Sequence, residues 1–348
     1  VYELDAVCYH AARGFLPLLL DELAQRDRLD GELVTLSGPR RTVYWTRNVW
    51  ERPLLIEFSS IGEAARILRS IQRNWAPLPT RLHRRCALIA EKLPPLPLKP
   101  KPFPFELPRA PMGAFTLLDE HRMIASPLCS SPFPNGEFEF QEDKEGPPSR
   151  AYRKLWEALV LANDRPGPGD RCIDAGASPG GWTWALAGLG AEVLAVDRAD
   201  LEPRIAALPN VRVMRHDAFT LRPSDLGAVD WLLSDVICYP PALLAWIGQW
   251  LDSGLARNFV CTIKMQGAGF DKATTDAFAA IPGSRVIHLW HNRHELTWIN
   301  LERDRRAGSQ PRATSSTIMS ANPAMAPRVE ISELPDLCDS GTTSSTTT

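Results

Sequence analysis

Asp174-Ala175-Gly176-Ala177-Ser178-Pro179-Gly180-Gly181-Trp182 is the stretch whose reading decides the fold. A short apolar run, Cys172 and Ile173, precedes it, and a helix-like stretch, Trp182 to Leu189, follows. Strand, glycine turn and helix in that order let backbone N–H groups approach a nucleotide-like ligand. Next comes Ala191–Asp197, which reads as a second strand ending in a carboxylate. A carboxylate at that strand end is placed to take ribose hydroxyls. The turn departs from the dehydrogenase pattern G-x-G-x-x-G, because a proline stands before the glycine pair. With no phosphate to cradle, the turn reads as a site for S-adenosylmethionine (SAM).

Outward from this turn the chain alternates strand and helix. Strands are expected at Arg171–Ala175, Ala191–Asp197, Val211–Arg215, Val229–Asp235, Asn258–Lys264, Arg285–Trp290 and Leu296–Leu301, with helical signals between them, as in Pro241–Leu251. This predicts an α/β, Rossmann-like domain with a mostly parallel, seven-stranded sheet covered on both faces. Only His291–Glu295 joins the last two strands. So short a link makes a hairpin and cannot cross over to a parallel neighbour, so the last strand is expected to be antiparallel. That ending suits a SAM-dependent methyltransferase and argues against an NAD domain.

Four segments are expected. Residues 1–93 read as a smaller α/β unit. Its elements are a helix at Phe15–Leu23, a hairpin of Glu32–Leu36 and Thr42–Trp45 turning at Gly38-Pro39, and a helix over Ile61–Trp75. Residues 94–148 are a connector, proline-dense from Pro94 to Pro111, with a return to strand at Gly113–Ser126. Residues 149–306 hold the sheet, opened by a helix over Ser149–Asn163, and residues 307–348 form a Ser/Thr-rich tail expected to be disordered.

The formal net charge of the 348-residue chain is −2, so no global positive excess marks a nucleic-acid binder. The distribution is more telling. Arg66, Arg69, Arg73, Arg81, Arg84, Arg85, Lys92, Lys99 and Lys101 fall in one stretch against the single acid Glu91, and a second stretch holds Arg293, Arg303, Arg305 and Arg306. Such stretches suit phosphate contact, although a charge run by itself also describes a solvated helix face. Trp75 or Phe103 would be available to stack on bases, with core packing the simpler reading of Trp75. The seven cysteines form no C-x-x-C pair, so no metal site is expected, and their odd count and scatter suit a reducing, cytoplasmic compartment. No apolar run reaches the roughly 18 residues of a membrane span.

The carboxyl ends of parallel strands face the ligand crevice. Asp197, Asp235 and Lys264 stand at such ends, and Asp217 lies just past Val211–Arg215. Lys264 closes an otherwise apolar strand, where a half-buried amine needs a partner, and Asp235 ends the neighbouring strand.

These residues resemble a known family. Asp174–Trp182 is similar to the D-x-G-A-x-P-G-G-W turn of FtsJ/RrmJ-type ribose 2′-O-methyltransferases. That family carries a Lys-Asp-Lys-Glu tetrad, and each member has a match. Lys154 lies in Ser149-Arg150-Ala151-Tyr152-Arg153-Lys154-Leu155, and Asp235 follows the fourth strand. Lys264 precedes Gln266-Gly267-Ala268-Gly269-Phe270-Asp271, and Glu295 opens Glu295-Leu296-Thr297-Trp298. The resemblance covers roughly 149–301. Within the family it looks most similar to RlmM-type enzymes, on Pro148-Ser149-Arg150, Gly180-Gly181-Trp182-Thr183, Arg13-Gly14-Phe15 and Ser131-Pro132-Phe133. Ser178 stands where Ala or Cys is usual, and Ala151 replaces a polar residue of some relatives. Both are small, so the turn is expected to survive.

The resemblance implies a THUMP-like N-terminal domain and methylation of a cytidine ribose in 23S ribosomal RNA or a large-subunit precursor. It implies Lys264 as general base, Asp235 orienting it, and Glu295 orienting Lys154 or the ribose. Gly176, Ser178, Pro179, Gly180, Gly181 and Trp182 would shape the cofactor turn, with Asp197 on the SAM ribose, Asp217 on the adenine amine, and Asp235 also near the methionine moiety. Alternatives are 2′-O-methylation of another RNA (a tRNA or an mRNA cap) and a non-catalytic RNA-binding protein that retains the fold.

Overall fold

The computed structural model describes residues 1–308 and 328–331. Its N-terminal half holds β1 (Tyr2–Leu4), β2 (Ala6–Ala11), α1 (Leu16–Leu23), β3 (Arg28–Asp30), β4 (Leu33–Ser37), β5 (Thr46–Trp50), β6 (Leu54–Glu57), α2 (Ile61–Ile71), β7 (Trp75–Pro77), α3 (His83–Ala90), β8 (Gly113–Leu117) and β9 (Arg122–Ser126). The C-terminal half holds α4 (Tyr152–Ala162), β10 (Arg171–Ala175), α5 (Gly181–Gly188), β11 (Glu192–Asp197), α6 (Pro203–Ala206), β12 (Val211–Arg215), α7 (Pro223–Leu226), β13 (Val229–Ser234), α8 (Pro240–Ser253), β14 (Ala256–Lys264), α9 (Lys272–Ala280), β15 (Ser284–Ile287), β16 (Glu295–Leu301) and α10 (Glu302–Gly308). A last short strand, β17 (Arg328–Val329), lies beyond it.

The C-terminal sheet has seven strands in the order β12-β11-β10-β13-β14-β16-β15. Its neighbours run parallel from β12 to β14, and β16 runs antiparallel to both β14 and β15. The expected hairpin is therefore present, but β15 ends at Ile287 rather than Trp290 and residues 288–294 form its link. Burial explains the apolar strands. Leu232 of β13 packs with Trp246, Ile247 and Trp250 of α8 on one face, while Trp231 and Leu233 pack with Leu155 and Leu159 of α4 on the other. Successive side chains of a strand point to opposite faces, so a strand covered on both sides must be apolar throughout.

The N-terminal half builds two sheets, β3-β4-β2-β5 and β17-β1-β6-β9-β8-β7. Here the expected hairpin fails. Thr42–Trp45 is not a strand; the strand starts at Thr46. β4 and β5 are not neighbours, because β2 lies between them and pairs with both. All six residues of β2 are buried, so it takes the centre of its sheet and the two less buried strands flank it. The helix expected over Ile61–Trp75 stops at Ile71, capped at its start by the Ser60 side chain, and Trp75 belongs to β7. The 94–148 segment does more than connect. β8 and β9 pair with β7 and β6, which makes them inner strands of the six-stranded sheet.

Part of the expected tail is also structured. Arg328–Val329 pairs in parallel with β1, and Ile331 is buried in the cluster around Leu4 and Leu55. An edge strand offers unpaired N–H and C=O groups to any nearby chain, which is the physical reason a polar tail can be held there. The remainder of that tail, including Ser340–Thr348, lies outside the described residues. No helix among the described residues is long and apolar enough to cross a membrane.

The two halves share one continuous cluster, in which Tyr9, Leu19, Leu23 and Trp45 pack with Phe259, Ile263, Met265 and Trp298. Phe15 and Trp45 meet the rings of His288 and His294, and Trp45 sets its edge against Phe270 at 5.5 Å. The Tyr44 hydroxyl donates to Asp276 at 2.8 Å across the same seam.

Candidate active site

Two glycines of the turn do their work against protein. Gly176 has φ +79°, and a Cβ there would lie 2.7 Å from Cβ of Val236, the residue after Asp235. Gly181 begins α5, and a Cβ there would lie 2.5 Å from Oγ of Ser149, at the entry to α4. Absence of a side chain at these positions lets the turn close on both elements that carry the acid and the first lysine. The Trp182 indole is buried and donates to the Ala151 carbonyl at 3.0 Å, fastening the start of α4 to α5. Trp182 thus supports the turn from the core side.

The four tetrad residues meet at one point. Lys154 Nζ donates to Asp235 Oδ1 at 2.8 Å, to Asp235 Oδ2 at 2.9 Å and to Glu295 Oε1 at 2.9 Å. Lys264 Nζ lies 3.2 Å from Asp235 Oδ1. Glu295 is the register partner of Lys264 across β14 and β16, so antiparallel pairing itself delivers the glutamate. All four side chains are largely buried, from 11% exposed for Lys154 and Glu295 to 18% for Lys264. Burial works against the charge of Lys154, but the carboxylates of Asp235 and Glu295 and their hydrogen bonds outweigh it and raise its pKa.

Two further carboxylates shape the site: Asp174, which the sequence places at the head of the turn without a role of its own, and Glu157, which the sequence reading leaves out. Glu157, one turn along α4 from Lys154, accepts from the backbone N–H groups of Trp290 and His291 and contacts His291 Nδ1 at 2.7 Å. It anchors the link that leads into Glu295. Asp174, next to last in β10, is almost completely buried, accepting from Thr183 Oγ1 at 2.6 Å, while its Oδ1 has no partner. Burial pushes its carboxyl up to about 7, against the lowering effect of the Thr183 bond. A polar residue at the end of an apolar strand was the available signal for Asp174; nothing local marks Glu157.

The cofactor-side residues are found around the same turn. Asp197 accepts from the N–H of Ser178 at 2.9 Å and of Ala199 at 2.8 Å. A carboxylate has about four acceptor sites, so capacity remains for a diol. Ser178 donates to the Asp200 carbonyl at 3.0 Å, and the Ser178–Pro179 bond is cis. Gly180 has φ +113°, and its Cβ would press on Ile205. Asp217 caps a short 3₁₀ turn through the N–H of Phe219 and stays partly exposed.

The basic stretch divides. α2 and α3 pack together and leave Arg66, Arg69, Arg73, Arg84 and Lys92 exposed, whereas Arg81 is tied to Asp30 at 2.8 Å and Lys101 lies over the Phe105 ring. Trp75 is not available to stack: it is buried, with Nε1 bonded to Leu68 O and Gln72 O. One face of Phe103 is covered by Trp156 at 4.6 Å. In both cases an apolar ring found a partner within the fold, as core packing requires. The six described cysteines are all free.

The model of the FtsJ-like methyltransferase family matches residues 147–252. That span includes Lys154, the turn, Asp197, Asp217 and Asp235, and stops before Lys264 and Glu295. Among curated proteins, "Ribosomal RNA large subunit methyltransferase M" of Halorhodospira halophila is 39% identical over 157 residues, 43% of this chain and 46% of the relative. The protein of the same name from Laribacter hongkongensis is 31% identical over 190 residues, 50% of this chain and 53% of the relative. A longer match, to the Methylococcus capsulatus protein of that name, is 29% identical over 312 residues, 85% of this chain and 80% of the relative. The chain thus spans about half the length of the first curated relatives and most of this last one. The glycine turn and the seven-stranded topology that residues 147–252 begin give this half of the chain the fold of the FtsJ-like methyltransferases it matches.

Proposed function

We propose that this chain is a SAM-dependent RNA ribose 2′-O-methyltransferase that acts on large-subunit ribosomal RNA, on a cytidine of the 23S molecule, in the cytoplasm. The observation that carries the reading is the bridge from Lys154 through Asp235 to Lys264, with Glu295 closing the cluster beside the glycine turn. The RNA class rests on the relatives named for large-subunit ribosomal RNA.

The cofactor would be held by the Gly176–Trp182 turn, by the free acceptor sites of Asp197 and by Asp217. When bound, SAM supplies an electrophilic methyl group. A ribose hydroxyl is a poor nucleophile at neutral pH, so its proton must leave as the new bond forms. Lys264 is the base in this scheme: in its neutral amine form it takes the hydroxyl proton as the oxygen–methyl bond forms and the methyl–sulfur bond breaks. An ammonium has three donors, and Lys154 commits all three of its contacts to Asp235 and Glu295, whereas Lys264 makes one ion pair, to the shared Asp235. Lys264 therefore has room for the substrate hydroxyl. Asp235 orients Lys264 and Glu295 orients Lys154. Lys154, kept cationic, is the nearby positive charge for the forming alkoxide. The exposed arginines of α2 and α3 supply phosphate contact. A ring nitrogen already presents its lone pair and needs no lysine base, so base methylation does not use this set.

The test is methyl transfer from labelled SAM to ribosomal RNA from a strain lacking this protein, followed by nuclease mapping. The expected product is label in an alkali-resistant dinucleotide from 23S RNA. Label in a base, or in tRNA alone, would overturn the reading of the acceptor. SAM binding without transfer to naked RNA or to large-subunit particles would favour the non-catalytic alternative.

A further inference from the structure

The loop that follows Asp235 carries two of the most exposed large apolar side chains among the described residues, Ile237 at 79% and Tyr239 at 69%. Scattered exposed apolar residues are ordinary. Tyr239 differs in its placement. It lies four residues beyond Asp235 and lines an open groove of about 440 Å³ with Pro240, Pro241, Met265, Gln266 and Phe270. Met265 directly follows Lys264, and the Lys264 charge acts on the Cys238 thiol next to Tyr239, which puts this end of the groove near that lysine. Its size falls in the range of roughly 300–1,000 Å³ typical of small-ligand sites.

The groove is built firmly. Gln266 Nε2 donates to the Cys238 carbonyl at 3.3 Å, joining the loop after β13 to the loop after β14. Phe270 is backed by the edge-on contact with Trp45 of the N-terminal half. Tyr239 precedes two prolines, which restrict its backbone to the extended region, and it is found there at φ −71°, ψ 138°. It also occupies the N-cap of α8 without a side-chain cap bond, where Ser, Thr, Asp or Asn would stabilise the helix. An exposed aromatic ring at a position that favours a polar cap gives the fold nothing, which points to a ligand.

Resting on the methyltransferase reading above, we infer that Tyr239 is the stacking platform for the base of the acceptor nucleotide, which enters unpaired with its ribose toward Lys264. Bases have apolar faces and stack on tyrosine whatever their sequence, and an unpaired nucleotide is the form in which RNA offers such a face. Phe270 and Met265 form the apolar floor on the other side of the groove. The hydroxyl of Tyr239 is not needed for stacking, so phenylalanine is expected to serve in its place.

The test uses the full chain and the variants Tyr239→Ala and Tyr239→Phe, each measured twice. In methyl transfer to RNA, Tyr239→Ala is expected to lose about 5- to 150-fold in kcat/KM, the equivalent of one base–aromatic stack. Tyr239→Phe is expected to stay within about threefold, and SAM affinity is expected to be equal in all three proteins. In equilibrium binding of a short single-stranded oligoribonucleotide, the same order is expected without any chemistry. Tyr239→Ala matching the parent protein in both measurements overturns the inference. A loss of oligoribonucleotide affinity in Tyr239→Ala, in a parent protein that transfers no methyl, upholds the platform and overturns the methyltransferase reading. A loss seen on ribosomal particles with naked RNA unaffected would assign the groove to a protein contact and overturn the inference.

Discussion

The tetrad and the seam between the two halves are neighbours with opposite physics. In the tetrad, four charged groups are packed at 11–18% exposure, each held by an opposite charge. In the seam, Phe15, Trp45, Phe270, His288 and His294 form a stack of rings, where burial drives the His288 pKa down to about 4 and keeps that imidazole neutral. The two meet within a few residues: His294 is followed by Glu295, and the His294 carbonyl accepts from the N–H of Met265, the residue after Lys264. Charges are expensive to bury and are kept where chemistry needs them. Rings bury large apolar area and fix the position of what they flank. The contrast teaches that the N-terminal half presents two surfaces, a seam that backs the tetrad and a basic helical face that meets solvent.

Removing the base should separate chemistry from fold most sharply. Lys264→Ala is expected to lower turnover by at least roughly 10²- to 10⁴-fold, with SAM affinity retained, as read by single-turnover transfer and calorimetry. Retention of more than a few per cent of activity would move the base elsewhere. At the seam the effect should fall on stability instead. Trp45→Ala leaves a cavity beneath Phe15 and Phe270 and is expected to cost about 3–5 kcal/mol in denaturant unfolding. A cost under about 1 kcal/mol would mean that the seam does not bind the halves together.

Charge reversal at Arg66 and Arg84, both exposed, probes the other surface of the same half. RNA affinity should fall and its salt dependence should become shallower, with SAM affinity and thermal midpoint unchanged. Equal RNA affinity across a salt series would remove the α2–α3 face from recognition. The smallest effect is a pH dependence. Burial raises the Asp174 carboxyl from its ordinary 3.8 to about 7, so the folded state holds a proton that the unfolded chain releases between those values. Stability from this group is thus greatest below about pH 4, declines as pH rises to about 7, and is level above. Asp174→Asn should flatten that slope in urea midpoints measured from pH 4 to 8; an unchanged slope would place its origin at another group.

The elements of the C-terminal sheet were legible because each strand is a short apolar run and each end carries its signal locally. β10 and β12 match their expected limits residue for residue; Asp235 and Lys264 stood out at strand ends, whereas Lys154 and Glu295 were implied only by the family resemblance. The N-terminal half was less legible. β2 and β5 pair across a gap of more than thirty residues, and nothing local in Thr42–Trp45 says that β2 will take the place beside β4. Trp75 and Phe103 read as candidate stacking rings because a ring's sequence neighbours do not tell whether the fold will cover it.

By itself the sequence determined a glycine turn between strand and helix, the alternation that makes a doubly covered sheet and the antiparallel last strand. These follow from backbone sterics, side-chain period and link length, all of which act over a few residues. Tertiary structure alone decided that Asp235 bridges both lysines, that Glu157 holds the link before Glu295, that the Asp174 carboxyl is pushed upward, and that Tyr239 rather than Trp75 faces solvent, in the loop after Asp235. Each of these depends on distance and burial among residues remote in sequence, and pair contacts and desolvation exist only once the chain has closed.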